Sequence, residues 1–143
     1  MKDTLRPGLT GRLEYLVPAG RTVPHLLPES KEFGALPDVL ATGYLVGIVE
    51  WACMRALAGH LDDGEATLGV HVDISHDAPT PPGTLVTVDV ELIRVEGRQL
   101  KFSVQARDDD AVISRGTHGR AVIDLRRFQA RLLARVTRTE RLS

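Results

Sequence analysis

Residues 39–59 read VLATGYLVGIVEWACMRALAG, and residues 39–57 are the longest apolar stretch of the chain. On a helical projection its apolar side chains occupy most of the circumference, a pattern typical of a helix that is buried on nearly every side. The length would also suit a membrane span, but Glu50 and Arg55 would each cost about 2.5–3.5 kcal/mol at the centre of a bilayer. The sequence therefore predicts a buried helix over residues 38–59 and no association with a membrane.

Two glycines, Gly43 and Gly47, lie within this predicted helix, four residues apart and therefore on one face. Each costs about 1 kcal/mol relative to alanine in a helix interior. Close approach of another backbone would offset this cost, so we expect the neighbouring elements to wrap the helix tightly.

Outside the helix, apolar residues alternate with polar ones, a period typical of strands with one buried face. The first such segment covers residues 11–17, and the last strand is expected over residues 111–125. The predicted inward-facing residues are Leu13, Tyr15 and Val17, then Leu68, Val70, Val72 and Ile74, then Val86, Val88, Val90 and Leu92, and finally Leu100, Phe102, Val104 and Ala106.

One strand, a buried helix and an antiparallel meander of four strands are the order expected of an α+β hot-dog fold, in which an antiparallel sheet is wrapped around a central helix. The alternative is a cone-shaped helix-and-sheet fold, whose helices cover an open mouth and normally show one polar stripe. The apolar circumference of residues 39–59 favours the hot-dog fold.

Two segments carry weaker signals. Four breakers, Pro24, Pro28, Gly34 and Pro37, predict an ordered loop without a regular element over residues 22–37. The basic segment 126–143 is expected to be a tail or a short helix capped by Asp124, although the last strand could instead continue. Its arginines are typical of a solvated face.

Composition limits the classes of function. A chain of 143 residues is expected to form a single domain over residues 1–143, with one hydrophobic core. The net charge of −1, the pI near 6.5 and the 4% of aromatic residues argue against nucleic-acid binding. The single Cys53 and the charged residues 1–4 predict a cytoplasmic protein.

Glu50 is the most informative single residue. A carboxylate in the middle of an apolar helix must be desolvated, paired with a cation, or used in chemistry. An ion pair with Arg55 or with another chain, or simple exposure at a gap in the sheet, would be a structural explanation. Because buried carboxylates cluster at functional sites, we expect Glu50 to have a catalytic role.

Thr42 and His76 are the other candidates. Thr42 precedes Glu50 by eight positions, about 12 Å along a helix and roughly 80° around it, so a third group would have to connect them. His76 lies on the predicted inner face of the following strand and could reach that space. Thr42 could also bond only to the backbone, and His76 could be an ordinary core histidine.

Other chemistry has little support. His71 and His76 face opposite sides of a strand, so we predict no metal site. Cys53 is expected to be a small apolar filler, and no nucleotide-binding motif indicates a cofactor. The segment GTHGR at residues 116–120 ends in Arg120, and its two glycines would leave room for an anionic or carbonyl ligand, although a surface arginine is an equal alternative.

Five phrases in the same order resemble the fluoroacetyl-CoA thioesterase family: TVPHLLPES, LATGYLVGIVEWAC, SHDAPTPPG, VEGRQLKFSVQA and GTHGRAVIDL. The resemblance covers roughly residues 21–128. It implies a hot-dog homodimer that hydrolyses short acyl-CoA thioesters without a metal or an organic cofactor.

The same resemblance assigns roles to individual positions. It places the family's catalytic residues at Thr42, Glu50 and His76, and it places residues that contact the substrate or CoA at Gly69 and Arg120. Before the helix, Phe33 is retained, but Leu36 stands where the fluoroacetyl-specific enzyme has an aromatic lid residue. Thioester hydrolysis is therefore expected, whereas fluorine selectivity is open.

Two alternatives follow from the same residues. A hot-dog hydratase or dehydratase also combines a histidine with an acid, but it protonates carbon instead of cleaving the bond between acyl carbon and sulfur. A non-catalytic module that binds acyl-CoA or acyl-carrier protein would use Glu50 only as a structural ion-pair partner.

Overall fold

A computed structural model describes residues 1–142 of the chain. Its strands and helices are, in chain order, β1 (Thr10–Leu16), α1 (Val23–Leu26), α2 (Lys31–Gly34), α3 (Thr42–Leu57), β2 (Glu65–Ile74), β3 (Leu85–Glu96), β4 (Gln99–Arg107), β5 (Val112–Asp124) and α4 (Leu125–Leu142). The predicted order of a strand, a long helix and further strands is confirmed.

The five strands form one antiparallel sheet in the order β1-β3-β4-β5-β2. The predicted meander of four strands is wrong, because β2 pairs with β5 instead of β3 and becomes an edge strand. Residues 75–84, which join β2 to β3, are too many for a tight hairpin. Only β3, β4 and β5 are consecutive neighbours.

Helix α3 lies against one face of this sheet and contacts β1, β3 and β2. The core between them comes from alternate strand positions, as predicted for β3 and β4. The buried residues on these two strands are Val86, Val88, Val90 and Leu92, and Leu100, Phe102, Val104 and Ala106. Leu13 and Val17 extend the same core at β1, which Tyr15 also contacts.

Strand β2 departs from its predicted alternation. Leu68, Val70 and Val72 are exposed, whereas Thr67 is buried. A register shift between Gly69 and His71 marks a β-bulge, which interrupts the simple alternation of faces. The edge strand β2 therefore shows apolar side chains to solvent in this chain.

Helix α3 is also less covered than predicted. Trp51 and Met54 are exposed on one face, and a side chain at Gly47 would meet nothing within 4 Å in the described chain. Gly43 does pack closely, since a Cβ there would approach the Leu26 side chain at 3.1 Å. The expectation that the chain itself wraps the helix on every side is therefore wrong.

The two weakly predicted segments both contain helices. Residues 22–37, expected to lack regular elements, form the single-turn helices α1 and α2. Residues 125–142 form α4, where Asp124 accepts a hydrogen bond from the Arg127 amide at 3.0 Å. No helix within residues 1–142 has the length and hydropathy needed to cross a membrane.

Candidate active site

Glu50 lies in the middle of α3, and 36% of its side chain is exposed. Its Oε2 accepts a hydrogen bond of 2.9 Å from Nη1 of Arg120, which is only 2% exposed. Arg55, the partner considered from the sequence, instead places its guanidinium carbon 5.2 Å from the centroid of the Trp51 ring. Glu50 is thus half-buried and paired with a cation from β5.

Arg120 owes its burial to its position on β5, where residues 118, 120 and 122 all face α3 and are buried. Its other two nitrogens also donate: Nε donates to Thr67 Oγ1 and Nη2 to the Thr67 carbonyl, each at 2.8 Å. Nη1 additionally lies 3.2 Å from His118 Nε2. A buried guanidinium with all of these partners is a fixed support for the Glu50 carboxylate.

Gly69 provides the space that Glu50 occupies. An added Cβ at this position would lie 2.4 Å from Glu50 Oε2 and 3.3 Å from His118 Cε1. Gly69 pairs with Arg120 across the sheet, immediately before the bulge in β2. Any side chain at Gly69 would therefore displace the carboxylate.

Thr42 and His76 form a second cluster. The Thr42 hydroxyl, in the first turn of α3, lies 2.8 Å from Nδ1 of His76, just beyond the end of β2. Nε2 of His76 is buried without a hydrogen-bond partner among residues 1–142. Burial lowers the pKa of His76, partly opposed by Asp77. This lowering favours the neutral imidazole at neutral pH, a form in which one ring nitrogen can still accept a proton.

A cleft of about 270 Å³ adjoins this cluster and is lined by Thr42, His76 and apolar side chains such as Val23 and Val39. Phe33, which is half-buried in α2, and Leu36, which is 51% exposed, do not line it. Phe33 and Leu36, which the resemblance also links to substrate binding, thus lie on the segment before α3 and outside this cleft.

The three predicted catalytic residues are only partly brought together. Thr42 contacts His76, but within residues 1–142 neither of them forms a hydrogen bond with Glu50. The chain presents a carboxylate supported by Arg120 and, nearer the start of α3, a hydroxyl–imidazole pair. A molecule bound between the two clusters would be needed to connect them.

The structure also describes Cys53, the groups of side chains that could bind a metal, and the glycines near Arg120. Burial raises the pKa of Cys53 to about 12, so this thiol stays protonated at neutral pH. No group of three His, Cys, Asp or Glu side chains within residues 1–142 could hold a metal ion. The glycines of the segment before Arg120 pack against β2: a Cβ at Gly116 would lie 2.0 Å from the Asp73 carbonyl, and one at Gly119 3.2 Å from His71 Cβ.

Sequence reasoning missed Thr67 and His118, which complete the surroundings of Arg120. His118 has the same parity as Arg120 on a strand and therefore faces the same side. Thr67 could have been found only from the pairing of β2 with β5, in which it lies opposite Val122. The first signal was present in the sequence, and the second required the sheet order.

Comparison with known proteins identifies the relatives of this chain. The sequence profile of the fluoroacetyl-CoA-specific thioesterase family matches residues 24–126. A fluoroacetyl-CoA thioesterase from Streptantibioticus cattleyicolor is 49% identical over 132 residues, which are 92% of this chain and 95% of that protein.

Two solved structures of fluoroacetyl-CoA thioesterases are also similar to this chain. The T42A variant of a fluoroacetyl-CoA thioesterase in complex with fluoroacetate superimposes with a TM-score of 0.89 at 46% identity, covering 92% of this chain and 98% of that one. A variant with alanine in place of the phenylalanine at its position 36 gives a TM-score of 0.90 at 48% identity, with coverage of 94% and 99%.

A more distant structure shares the fold alone. A thioesterase superfamily member from Thermus thermophilus superimposes with a TM-score of 0.84 at 24% identity, covering 97% of this chain and 98% of that one. The predicted hot-dog fold and the resemblance seen in the sequence are confirmed. This chain belongs to the fluoroacetyl-CoA-specific thioesterase family.

Proposed function

We propose that the protein hydrolyses short-chain acyl-CoA thioesters to the free acid and CoA. The observation that carries this proposal is the Glu50 carboxylate, held by the buried Arg120 against Gly69 and open to solvent over a third of its surface. Membership of a thioesterase family supports the same reaction.

In this mechanism the thioester carbonyl lies beside Gly69, within reach of Glu50. Acting as a general base, Glu50 takes a proton from water, and the resulting hydroxide attacks the carbonyl carbon. Backbone N–H groups of β2 near Gly69 would donate to the developing oxyanion. The carbon–sulfur bond then breaks, and the CoA thiolate leaves and is protonated.

A second route has the same products. Glu50 attacks the carbonyl carbon directly, CoA leaves, and water hydrolyses the mixed anhydride that forms. In either route the Thr42–His76 pair orients the acyl group and the water. In a single turnover in ¹⁸O-labelled water, base catalysis labels only the released acid, so label in the Glu50 carboxylate indicates the nucleophilic route, with water attacking the Glu50 carbonyl carbon of the anhydride.

The activity is tested by measuring thiol release from fluoroacetyl-CoA, acetyl-CoA and longer acyl-CoAs, with an enoyl-CoA as a further substrate. Turnover of the short thioesters with release of one thiol per acid supports the proposal. Loss of enoyl absorbance without thiol release would indicate a hydratase instead. Binding of acyl-CoA in calorimetry without any turnover would indicate a binding module.

Selectivity for fluorine is expected to depend on Leu36, which is 51% exposed in the segment before α3. We expect Leu36→Phe to raise the preference for fluoroacetyl-CoA over acetyl-CoA by about tenfold, because a larger apolar side chain excludes more water from a closed site. The ratio of the two kcat/KM values measures this effect. Leu27→Phe, in the same segment and also exposed, is the control, and an equal change in both variants would contradict a specific role for Leu36.

We infer that the protein is a homodimer formed along β2. This edge strand exposes Leu68, Val70 and Val72, and the adjacent face of α3 exposes Trp51 and Met54. A twofold axis would pair β2 antiparallel with its copy. This pairing would provide hydrogen-bond partners for the backbone groups of the open edge and would cover both apolar surfaces. Glu50 lies between these surfaces, so the substrate would bind where the two subunits meet.

Val70→Lys tests this interface. We expect the variant to sediment as a monomer and to lose most of its activity, because the buried ammonium would oppose pairing of the two edges. Leu133→Lys, on α4, replaces another exposed apolar side chain and should leave the dimer intact. A monomeric wild-type protein, or an unchanged sedimentation coefficient for Val70→Lys, would contradict the inference.

Gly69→Ala tests the placement of the carboxylate. The added methyl group would lie 2.4 Å from Glu50 Oε2 and would push that flexible side chain away. We expect kcat to fall by about a hundredfold, since displacement of a reacting group by about 1 Å can have that effect. Thermal unfolding should change little.

The matched control for Gly69→Ala is the same change in the Glu50→Gln background. There the substitution should cause little further loss, because both changes act on one carboxylate. Additive losses would show that Gly69 acts independently of Glu50.

We further propose that the protein is cytoplasmic. Its single cysteine, Cys53, is free and buried, which fits a reducing compartment. Detection of the protein in the cytosolic fraction of lysed cells would support this, and recovery from the medium or the periplasm would contradict it.

A further inference from the structure

His118 is a buried histidine on β5 whose two ring nitrogens have different partners. Its Nδ1 lies 2.8 Å from the backbone carbonyl of His71, and its Nε2 lies 3.2 Å from Nη1 of Arg120. A carbonyl oxygen can only accept, so Nδ1 must carry the proton. Nε2 of the neutral ring then has a lone pair directed at the guanidinium.

This lone pair determines where the two hydrogens on Nη1 of Arg120 point. The nitrogen carries two hydrogens, of which one goes to His118 Nε2 and the other to Glu50 Oε2 at 2.9 Å. Thr67 fixes the opposite side of the same planar group. The plane of the guanidinium, and with it the position of the carboxylate, is therefore set from both sides.

We propose that His118 is a positioning residue for the thioesterase reaction: by accepting one hydrogen of Arg120 Nη1, it directs the other to Glu50 and holds that carboxylate beside Gly69. The inference rests on the proposed function of Glu50. His118 does not itself contact the substrate. It acts through Arg120, and His71 anchors it through the backbone of β2.

The arrangement requires a neutral imidazole. Protonated His118 would present an N–H to the N–H of Arg120 and would place two cations in contact, so the guanidinium and Glu50 would shift. The charged or titratable groups that face His118 are Arg120 on its own strand, Glu50 from α3 and His71 from β2. Burial, with a contribution from Arg120, lowers the pKa of His118, and this favours the neutral ring in the neutral pH range.

Two conservative variants separate the roles of the two nitrogens. The amide of His118→Gln reaches the position of Nε2 and can accept from Arg120, whereas the amide of His118→Asn reaches only the position of Nδ1 and can bond to His71. We expect kcat of His118→Gln to stay within about threefold of the wild type and kcat of His118→Asn to fall at least about tenfold, the equivalent of one hydrogen bond to a charged group. KM should change little in both.

The pH profile gives a readout that a purely structural role would not move. As pH falls, the wild type loses kcat/KM through protonation of His118 in addition to other groups such as His76. His118→Gln cannot titrate at this position, so its acid limb should lie at lower pH. Equal losses in the Gln and Asn variants, or identical acid limbs with and without His118→Gln in a His76→Gln background, where His76 cannot set the limb, would overturn the proposal.

A measurement without turnover covers variants that fold poorly and separates this proposal from the proposed function. In ¹⁵N spectra of the wild type, His118 should be the Nδ1–H tautomer, and the Arg120 Nε–H signal should shift with the same midpoint as the His118 ring. The opposite tautomer, or an Arg120 signal that ignores the His118 titration, would refute the positioning role. If the wild type releases no CoA, the thioesterase proposal fails, while these spectra still decide the Arg120 geometry.

Discussion

Arg120→Met is expected to lower the free energy of unfolding by about 3–5 kcal/mol, since it leaves buried hydrogen-bonding groups without their partner. The Thr67 carbonyl, the Thr67 hydroxyl and His118 Nε2 all lose a donor at a site that is 2% exposed. Methionine fills much of the space, so the loss reflects hydrogen bonding more than a cavity.

The same substitution should abolish most of the CoA release. Without the guanidinium, Glu50 has no fixed partner and can turn toward solvent, which removes the carboxylate from the thioester. Chemical denaturation and thiol release at a temperature where the variant is folded measure the two effects. Arg94→Met is the matched control, because Arg94 lies on the same sheet but is 61% exposed. Its ion pair with Glu96 is also long, with 3.7 Å between Nη1 and Oε1.

Arg94→Met should leave both stability and turnover nearly unchanged, as expected for an exposed ion pair. If Arg120→Met were as stable and as active as Arg94→Met, the buried arginine would not support the site. If it were destabilised but fully active once folded, Arg120 would have only a structural role.

The sequence predicts those parts of the fold whose faces are determined by one shared core. Strands β3 and β4 lie in the sheet interior and bury every second residue, so Val86 to Leu92 and Leu100 to Ala106 alternate as expected. Strand β2 does not follow its predicted alternation of buried and exposed residues. It is an edge strand with a bulge at Gly69, so its pairing with β5 determines which side chains are buried.

Helix α3 shows a second limit. An apolar circumference indicates that the helix is covered, but it does not say which chain covers it. Trp51 and Met54 are exposed in one chain, and Gly47 has free space beside it. Local sequence has the same pattern whether a segment of the same chain or a second subunit provides the contact.

In the candidate site, one residue could be identified from the local sequence, whereas its partner could not. Glu50 is recognisable because a charge interrupts an apolar helix, and this signal is local. Its partner Arg120 lies seventy positions later, and the pair forms only because β2 and β5 place Gly69 opposite Arg120. That register depends on the non-consecutive strand order, which periodicity alone does not determine.

Glu50→Gln should reduce CoA release by about a thousandfold, within the usual range for removal of a catalytic acid–base group. The amide is neutral and can neither take a proton from water nor attack a carbonyl carbon as a carboxylate does. Its oxygen can still accept from Arg120 Nη1, so the site should keep its geometry. We expect the free energy of unfolding to fall by no more than about 2 kcal/mol, because one hydrogen bond is kept and the pair is partly solvated.

The contrast between the two substitutions is informative. Arg120→Met should impair both stability and activity, whereas Glu50→Gln should impair activity far more than stability. Reversal of this order would mean that Glu50 serves the fold and that the reaction uses another group.

The proposed reaction depends above all on the Glu50 carboxylate, which is to act as base or nucleophile in thioester hydrolysis. The most direct test is kcat for CoA release from a short acyl-CoA by folded, dimeric Glu50→Gln, measured beside the wild type at the same pH. We expect a loss of about three orders of magnitude with the circular dichroism spectrum unchanged. Turnover of the variant within a few fold of the wild type would contradict it.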